Sequence, residues 1–301
     1  MSGRAFRYLT PATQEALDGL VLSPRGPVEG RIAGLHRSRH KGASVEFAEY
    51  REYVPGDPVR FLDFRVLARA DRRVVRQYED ETNLQAFVLV DRSASMAFRG
   101  ADDRPTKWAY ACSLAGGLVY LLHRQRDAAG LVVFGDRVDR VLPARGSPTA
   151  VREALETLEA FEPDGTTGVG NALRAVATRL RRRSVVVLVS DLHDDPDDVA
   201  HGLRRLRHDR HDVTVLQVLD DAETDLPWHG LVELEDAETG ERLPVEAGTV
   251  RDAYRDAVAA WLRGLGRVTA EACVEHRVLS TSRPFATELA RFVHARTRIG
   301  R

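Results

Sequence analysis

Two uninterrupted apolar runs, Phe87–Val90 (FVLV) and Val185–Val189 (VVVLV), constrain this chain more than any other feature in it. A strand with one wet face alternates apolar and polar residues, whereas a continuous run suits a strand covered on both faces. The runs sit inside strand candidates Gln85–Val90 and Ser184–Val189, and further candidates lie at Gly130–Phe134, Val138–Leu142 and Val213–Leu219. Helical patterns separate them at Lys107–Arg124, Thr149–Ala160, Val169–Arg182 and Asp197–Asp209. Strands alternating with helices of that length predict an α/β fold built on a doubly wound, mostly parallel sheet of the Rossmann type.

The flanks read differently. A short helix (Thr13–Leu20) leads into a Gly- and Pro-containing stretch, SPRGPVEGRIAG, and then into a polar, aromatic-dotted segment. Two prolines and a glycine in Val54–Pro58 make a turn, and Val74–Tyr78 reads as extended. Residues 1–82 are therefore expected to form a small β-containing module with short strands beside the main sheet, and residues 83–301 the α/β domain. Within the latter, Gly230–Val245 reads as a hairpin around Glu238-Thr239-Gly240. A helix (Thr249–Leu265), a strand (Ala272–Ser280) expected to join the main sheet and a last helix (Pro284–Arg296) follow.

Composition narrows the function classes. A formal net charge of -1 argues against a general nucleic-acid binder, which carries a basic excess. Lysine occurs only at Lys41 and Lys107, so arginine supplies the positive charge. The two cysteines, Cys112 in a helical and Cys273 in a strand-like segment, read as buried thiols in a reducing compartment. The opening MSGRAFRYLTPATQEAL lacks the apolar core of a signal peptide. The longest mostly apolar helical stretch, Ala109–Leu122, is too short to span a bilayer, so a cytoplasmic location without a membrane span is expected.

Chemistry concentrates where the first strand stops. Asp91 ends the apolar run, and Ser93 and Ser95 follow at alternate positions. In open parallel sheets ligands bind beyond the carboxyl ends of the strands, where strand order reverses. Two later segments can reach that edge: Gly165-Thr166-Thr167 ahead of a helix, and Ser190-Asp191 after the second apolar run. Two carboxylates, two serine hydroxyls and a threonine hydroxyl fill most of an octahedral magnesium shell, with water in the rest. Two formal charges leave room for a further carboxylate from a partner.

DxSxS after a buried strand, followed by a threonine loop and a strand-ending aspartate, resembles the metal-ion-dependent adhesion site of von Willebrand factor A domains. That resemblance assigns the threonine position to Thr167 and the full metal-ligand set to Asp91, Ser93, Ser95, Thr167 and Asp191. Val45–Glu81 is in turn similar to the signature of the bacterial domain of unknown function 58 family, through Glu46-Phe47, Arg51, Tyr53, Gly56-Asp57, Arg60, Asp63 and Ala68-Arg69. The ending LSTSRPFATELARFVHAR fits as well; Phe64 departs, standing where the family usually has tryptophan. The resemblance implies a von Willebrand factor A-like domain holding Mg2+ or another divalent cation. It also implies a MoxR-type AAA+ ATPase as partner, a client offering an Asp or Glu, and an adaptor role in assembly or metal insertion, without turnover. Many relatives carry N-terminal membrane helices, which the sequence read here lacks.

Two rival readings follow from the same residues. A magnesium-dependent phosphoryl-transfer enzyme would use Asp91 as nucleophile, but commonly pairs it with a carboxylate two residues on, where Ser93 stands, and no positioned lysine is evident. A chelatase-type subunit would use the same domain beside an AAA+ partner. The remaining charged features have structural readings. The Asp57, Arg60, Asp63, Arg65, Arg69, Asp71 alternation reads as an ion-pair clamp, and His36–Lys41 as a solvated loop. Aspartates after Asp191 suit a helix N-terminus and Arg179–Arg183 a helix C-terminus, while His201, His208 and His211 read as exposed.

Overall fold

Strand β3 (Gln85–Asp91) lies inside the main sheet, and every residue from Val88 to Asp91 is buried. The computed structural model describes residues 6–25, 46–52, 66, 74–79 and 84–299. β3 pairs in parallel with β4 (Ala128–Phe134) on one side and β6 (Val185–Ser190) on the other. The six-stranded sheet runs β10-β7-β6-β3-β4-β5, adding β5 (Val138–Arg145), β7 (Asp212–Leu219) and β10 (Glu275–Ser280). Only β5 is antiparallel to its neighbour. The chain steps from β3 outward through β4 and β5, then returns to β6 on the opposite side, so strand order reverses at β3. The carboxyl end of β3 is thus the crevice where such sheets take ligands.

Alternation sends successive residues to opposite faces, and both faces are covered. Leu89, Val132, Val186, Leu188 and Val215 form one core with α4 (Val169–Arg179), α5 (Pro196–His208) and Leu265 of α7 (Ala247–Glu271). Val88, Val90, Val187 and Val189, all fully buried, alternate with them. On that second face lies α2 (Lys107–Arg124), which touches β3, β4, β6 and β7 and packs against α3 (Pro148–Ala160), α8 (Phe285–Ile299) and α1 (Pro11–Ala16). Apart from Ala109, Ser113, His123 and Arg124 all of α2 is buried, and apolar residues spread over most of its surface, which explains its weak amphipathicity. Among the described residues, no helix is long and apolar enough to cross a membrane.

Residues 6–25 belong to this body. Leu9, Leu17 and Leu22 are each 2% exposed. The Gln125 side-chain amide brackets Leu22, accepting from its N–H at 2.9 Å and donating to its C=O at 3.1 Å. Gly117 on α2 opens the space: a Cβ there would lie 3.2 Å from Leu17 Cδ1 and 2.8 Å from Leu289 Cδ2. The chain divides into two units, Met1–Gly26 with Gln85–Arg301, and Pro27–Leu84. The apolar residues ahead of the Gly/Pro stretch need cover, and the α2 trough gives it. Within the second unit, β1 (Glu46–Glu52) and β2 (Val74–Glu79) form their own antiparallel pair, with Glu52 opposite Val74. The Asp57–Asp71 alternation, Phe64 and the His36–Lys41 loop lie outside the described residues.

The expected hairpin forms as β8 (Leu231–Glu235) and β9 (Arg242–Glu246), which among the described residues pair with each other alone. The C-terminal strand joins the main sheet beside β7, as expected. Two expectations fail. Cys273 is exposed at a turn with φ 53° rather than buried in a strand, while Cys112 is buried. His211 is 1% exposed, because its Nδ1 accepts the Ser184 N–H at 3.1 Å where β6 and β7 start.

Candidate functional site

Three loops meet at the carboxyl ends of β3 and β6. After Asp91 the chain turns through Ser93 into a short 3-10 turn, Ala94–Ala97. Backbone bonds fasten this turn to the loop before α4: Ala94 N–H donates to Gly165 O at 2.9 Å, and Asp164 N–H to Arg92 O at 2.8 Å. The Arg92 guanidinium adds bonds to Asp139 Oδ2 at 2.6 Å and Asp164 O at 3.1 Å, so the variable position of DxSxS pins the threonine loop. Gly168, the residue before α4, sits where a Cβ would lie 2.5 Å from Asp136 O, which lets that loop press against the β4–β5 turn. The third loop follows β6, and its Asp194 accepts the Gly170 N–H at 3.0 Å, capping α4 from outside.

This framework brings together Asp91, Ser93, Ser95, Thr167 and Asp191. Asp91 Oδ1 accepts the Ser93 N–H at 2.9 Å, and Oδ2 accepts Thr167 Oγ1 at 3.1 Å. Ser93 Oγ and Ser95 Oγ are 3.1 Å apart, and Ser95 Oγ donates to Asp191 Oδ2 at 2.7 Å. Both carboxylates and Ser93 are fully buried. Thr167, rather than Thr166, is the threonine that reaches Asp91.

Four further residues complete the arrangement. Ser190 Oγ donates to Asp91 Oδ2 at 2.6 Å and accepts the Leu192 N–H at 2.9 Å. That bond holds Leu192 at φ 62°, a left-handed conformation costing roughly 1–2 kcal/mol for a residue with a side chain. Lys107, 0% exposed, reaches Asp191 Oδ2 at 2.8 Å and Glu223 Oε1 at 2.5 Å. Contrary to the sequence expectation, a lysine is therefore positioned at the site. Its ammonium is engaged by two carboxylates, Asp191 and Glu223 of α6 (Asp221–Asp225). Finally Glu238, at the tip of the β8–β9 hairpin, accepts the Thr167 N–H on Oε2 at 3.0 Å, while its Oε1 is buried without a hydrogen-bond partner among the described residues. Ser190 had a local signal at the end of the second apolar run and Glu238 in its hairpin turn, whereas Lys107 and Glu223 arrive by topology alone.

The electrostatics of the two aspartates diverge. Burial and the nearby Asp191 charge push the Asp91 carboxyl up to about 7, against the pull of its hydrogen bonds from Ser190 and Ser93. Burial raises Asp191 too, but the Lys107 ammonium outweighs it and, with His193 and Ser95, brings the carboxyl down to about 2. Burial also raises Glu238. Lys107 thus neutralises one side of the site, and among the described residues no cation pairs with Asp91. Among the described residues no three His, Cys, Asp or Glu cluster as metal ligands, so a cation here would depend on hydroxyl oxygens. An all-oxygen donor set with an under-compensated carboxylate, and an orphaned buried oxygen at Glu238, fits a hard divalent ion.

Comparison with known proteins bears on the family and the fold. The family model described as protein of unknown function DUF58 matches residues 49–262. An uncharacterised protein of Mycobacterium tuberculosis, Rv1480, is 30% identical over 294 residues, covering 96% of this chain and 91% of its own. Among solved structures, an aerotolerance-related membrane protein from Bacteroides fragilis is 15% identical with a TM-score of 0.52, covering 72% of this chain and 99% of that one. The SpRpn10 VWA domain is 14% identical with a TM-score of 0.41, covering 69% and 93%. At such identity the structural likeness concerns the fold alone.

Proposed function

Because this chain belongs to the family described as protein of unknown function DUF58 and folds as a von Willebrand factor A-like domain, we propose that it is a divalent-metal-dependent protein-interaction module. The carrying observation is the convergence of Asp91, Ser93, Ser95, Thr167 and Asp191 from three loops at the strand-order reversal. Ser93, Ser95 and Thr167 would hold Mg2+ through hydroxyl oxygens, with Asp91 and Asp191 balancing its charge. When bound, the ion supplies Lewis acidity toward one more carboxylate. The chain's own part is to fix those oxygens: Ser190 and Ser93 orient Asp91, and Lys107 holds Asp191 ionised in a buried place.

The partner we propose is a MoxR-type AAA+ ATPase, the chain serving it as adaptor in the assembly or maturation of a client that offers an Asp or Glu. The role is binding rather than turnover. A chelatase-type subunit in metal insertion would use the same contacts. A phosphoryl-transfer enzyme gains one supporting feature, the buried Lys107, yet Ser93 still replaces the second carboxylate and Lys107 is tied to Asp191 and Glu223. Co-purification with a MoxR-type ATPase tests the proposal in Mg2+, in EDTA and with Asp91→Ala. Capture in Mg2+ alone, by the wild-type chain alone, is expected; equal capture in all three refutes the metal bridge. Phosphate release from generic phosphoesters that disappears in Asp91→Ala would instead establish the enzyme.

A further inference from the structure

We propose that Glu238 is an in-chain ligand of this site, a carboxylate held where an incoming partner carboxylate has to go. The inference rests on the divalent-cation reading above and adds a residue and a mode of control to it. Three observations converge on Glu238. Its Oε2 is fixed by the Thr167 backbone N–H at 3.0 Å, one atom group away from the hydroxyl assigned to the metal. Its Oε1 is buried yet has no hydrogen-bond partner among the described residues. A buried carboxylate oxygen left bare is costly unless something positive meets it. Glu238 and Ser95 also line one cavity of about 710 Å³, so carboxylate and candidate ligand face a shared space. Ser95 Oγ donates to Asp191 Oδ2 and also neighbours the Glu238 carboxylate, so candidate ligand and carboxylate sit side by side.

The hairpin is built to aim this side chain. Asp236 Oδ1 accepts the N–H groups of Glu238 at 2.8 Å and Thr239 at 3.0 Å, and Gly240, at φ 72°, closes the turn with its N–H on Asp236 O. Among the described residues the strands behind it pair with each other alone, and they expose Leu231 (78%) and Leu243 (60%). A two-stranded hairpin with so little burial is marginal by itself. It can therefore be lifted away by a partner that brings its own carboxylate and covers those leucines, whereas the six-stranded sheet beneath stays intact.

Mn2+ serves as the probe, read by its binding isotherm and by the water-proton relaxivity of the bound ion. In wild type, Glu238 occupies a position that water takes in Glu238→Gln. The variant is expected to bind Mn2+ on the order of ten-fold more weakly and to show higher relaxivity per bound ion. Millimolar acetate should lower that relaxivity in the variant and leave wild type unchanged, because the position is already filled. Equal affinity and equal relaxivity in both, with binding still abolished by Asp91→Ala, overturns the Glu238 assignment and leaves the metal site standing. Mn2+ binding that is absent, or indifferent to Asp91→Ala, overturns the metal reading and this inference with it. Thermal unfolding in EDTA controls for folding: Glu238→Gln, at a partly exposed hairpin tip, should melt with wild type.

Discussion

Lys107→Met puts the electrostatic reading of the site at risk in a measurable way. Methionine preserves the length of the buried stem and removes only the ammonium, which touches Asp191 Oδ2 at 2.8 Å and Glu223 Oε1 at 2.5 Å. Glu223 is 17% exposed and can turn to water once released, so little of the loss lies there. Asp191 is 0% exposed and keeps Ser95 Oγ, the His193 N–H at 3.3 Å and the His193 ring Nδ1 at 3.6 Å. Stranding one member of a buried pair costs about 3–5 kcal/mol. For a unit of this size that lowers the melting temperature by roughly 6–20 °C, at about 2–4 °C per kcal/mol. The assay is thermal unfolding by circular dichroism in EDTA, completed as a double-mutant cycle with Asp191→Asn. Because the loss comes from the stranded carboxylate, the double variant should recover about 2–3 kcal/mol relative to additivity. A single-variant loss below about 1 kcal/mol, or strict additivity, would refute the claim that Lys107 keeps Asp191 charged in the core.

Three other expectations are independent of that pair. Gly170→Ala should destabilise by about 1–3 kcal/mol and weaken metal binding. A Cβ there would lie 2.9 Å from the Asp198 backbone, forcing α4 away from α5 and carrying Thr167 with it; unchanged melting and Mg2+ affinity would contradict this. Ser190→Ala should cost about 1–3 kcal/mol, since the buried Leu192 N–H loses its acceptor and Asp91 a donor. Urea unfolding checks it, and a neutral result would sink the point. His211, whose imidazole is pushed down by burial, stabilises the fold while neutral. That contribution is present above the unfolded pKa of about 6.5 and is lost as pH falls through the lower folded value, with a slope of at most about 1.4 kcal/mol per pH unit. His211→Gln should flatten stability against pH in that window; an unchanged profile would show that His211 does not contribute.

The α/β body was legible because its information is local. Continuous apolar runs marked β3 and β6, and the helix patterns matched α2 at both ends and α3, α4 and α5 to within three residues, while α7 runs six residues past its expected end and α6 was missed. The hairpin was legible from Glu238-Thr239-Gly240, where Gly240 adopts φ 72°. Asp91, Ser93 and Ser95 could be found because they follow one strand directly. Lys107 could not, since a lone lysine opening an apolar helix has no sequence mark of its partners 84 and 116 residues away. The attachment of residues 6–25 was hidden for the same reason: it depends on Gly117 and Gln125 of a distant helix leaving room and hydrogen bonds for Leu17 and Leu22. His211 was misread because a histidine among arginines looks solvated until the Ser184 N–H is placed on its ring.

Anomalous diffraction from crystals soaked in Mn2+ asks whether the five residues hold a divalent cation at all. The expected result is one peak at the carboxyl end of β3, bonded to the hydroxyl oxygens of Ser93, Ser95 and Thr167, and absent from Asp91→Ala crystals. A map without that peak, with Lys107 still paired to Asp191 and Asp91 still bonded to Thr167 and Ser190, would contradict it and leave these residues as a buried hydrogen-bond network.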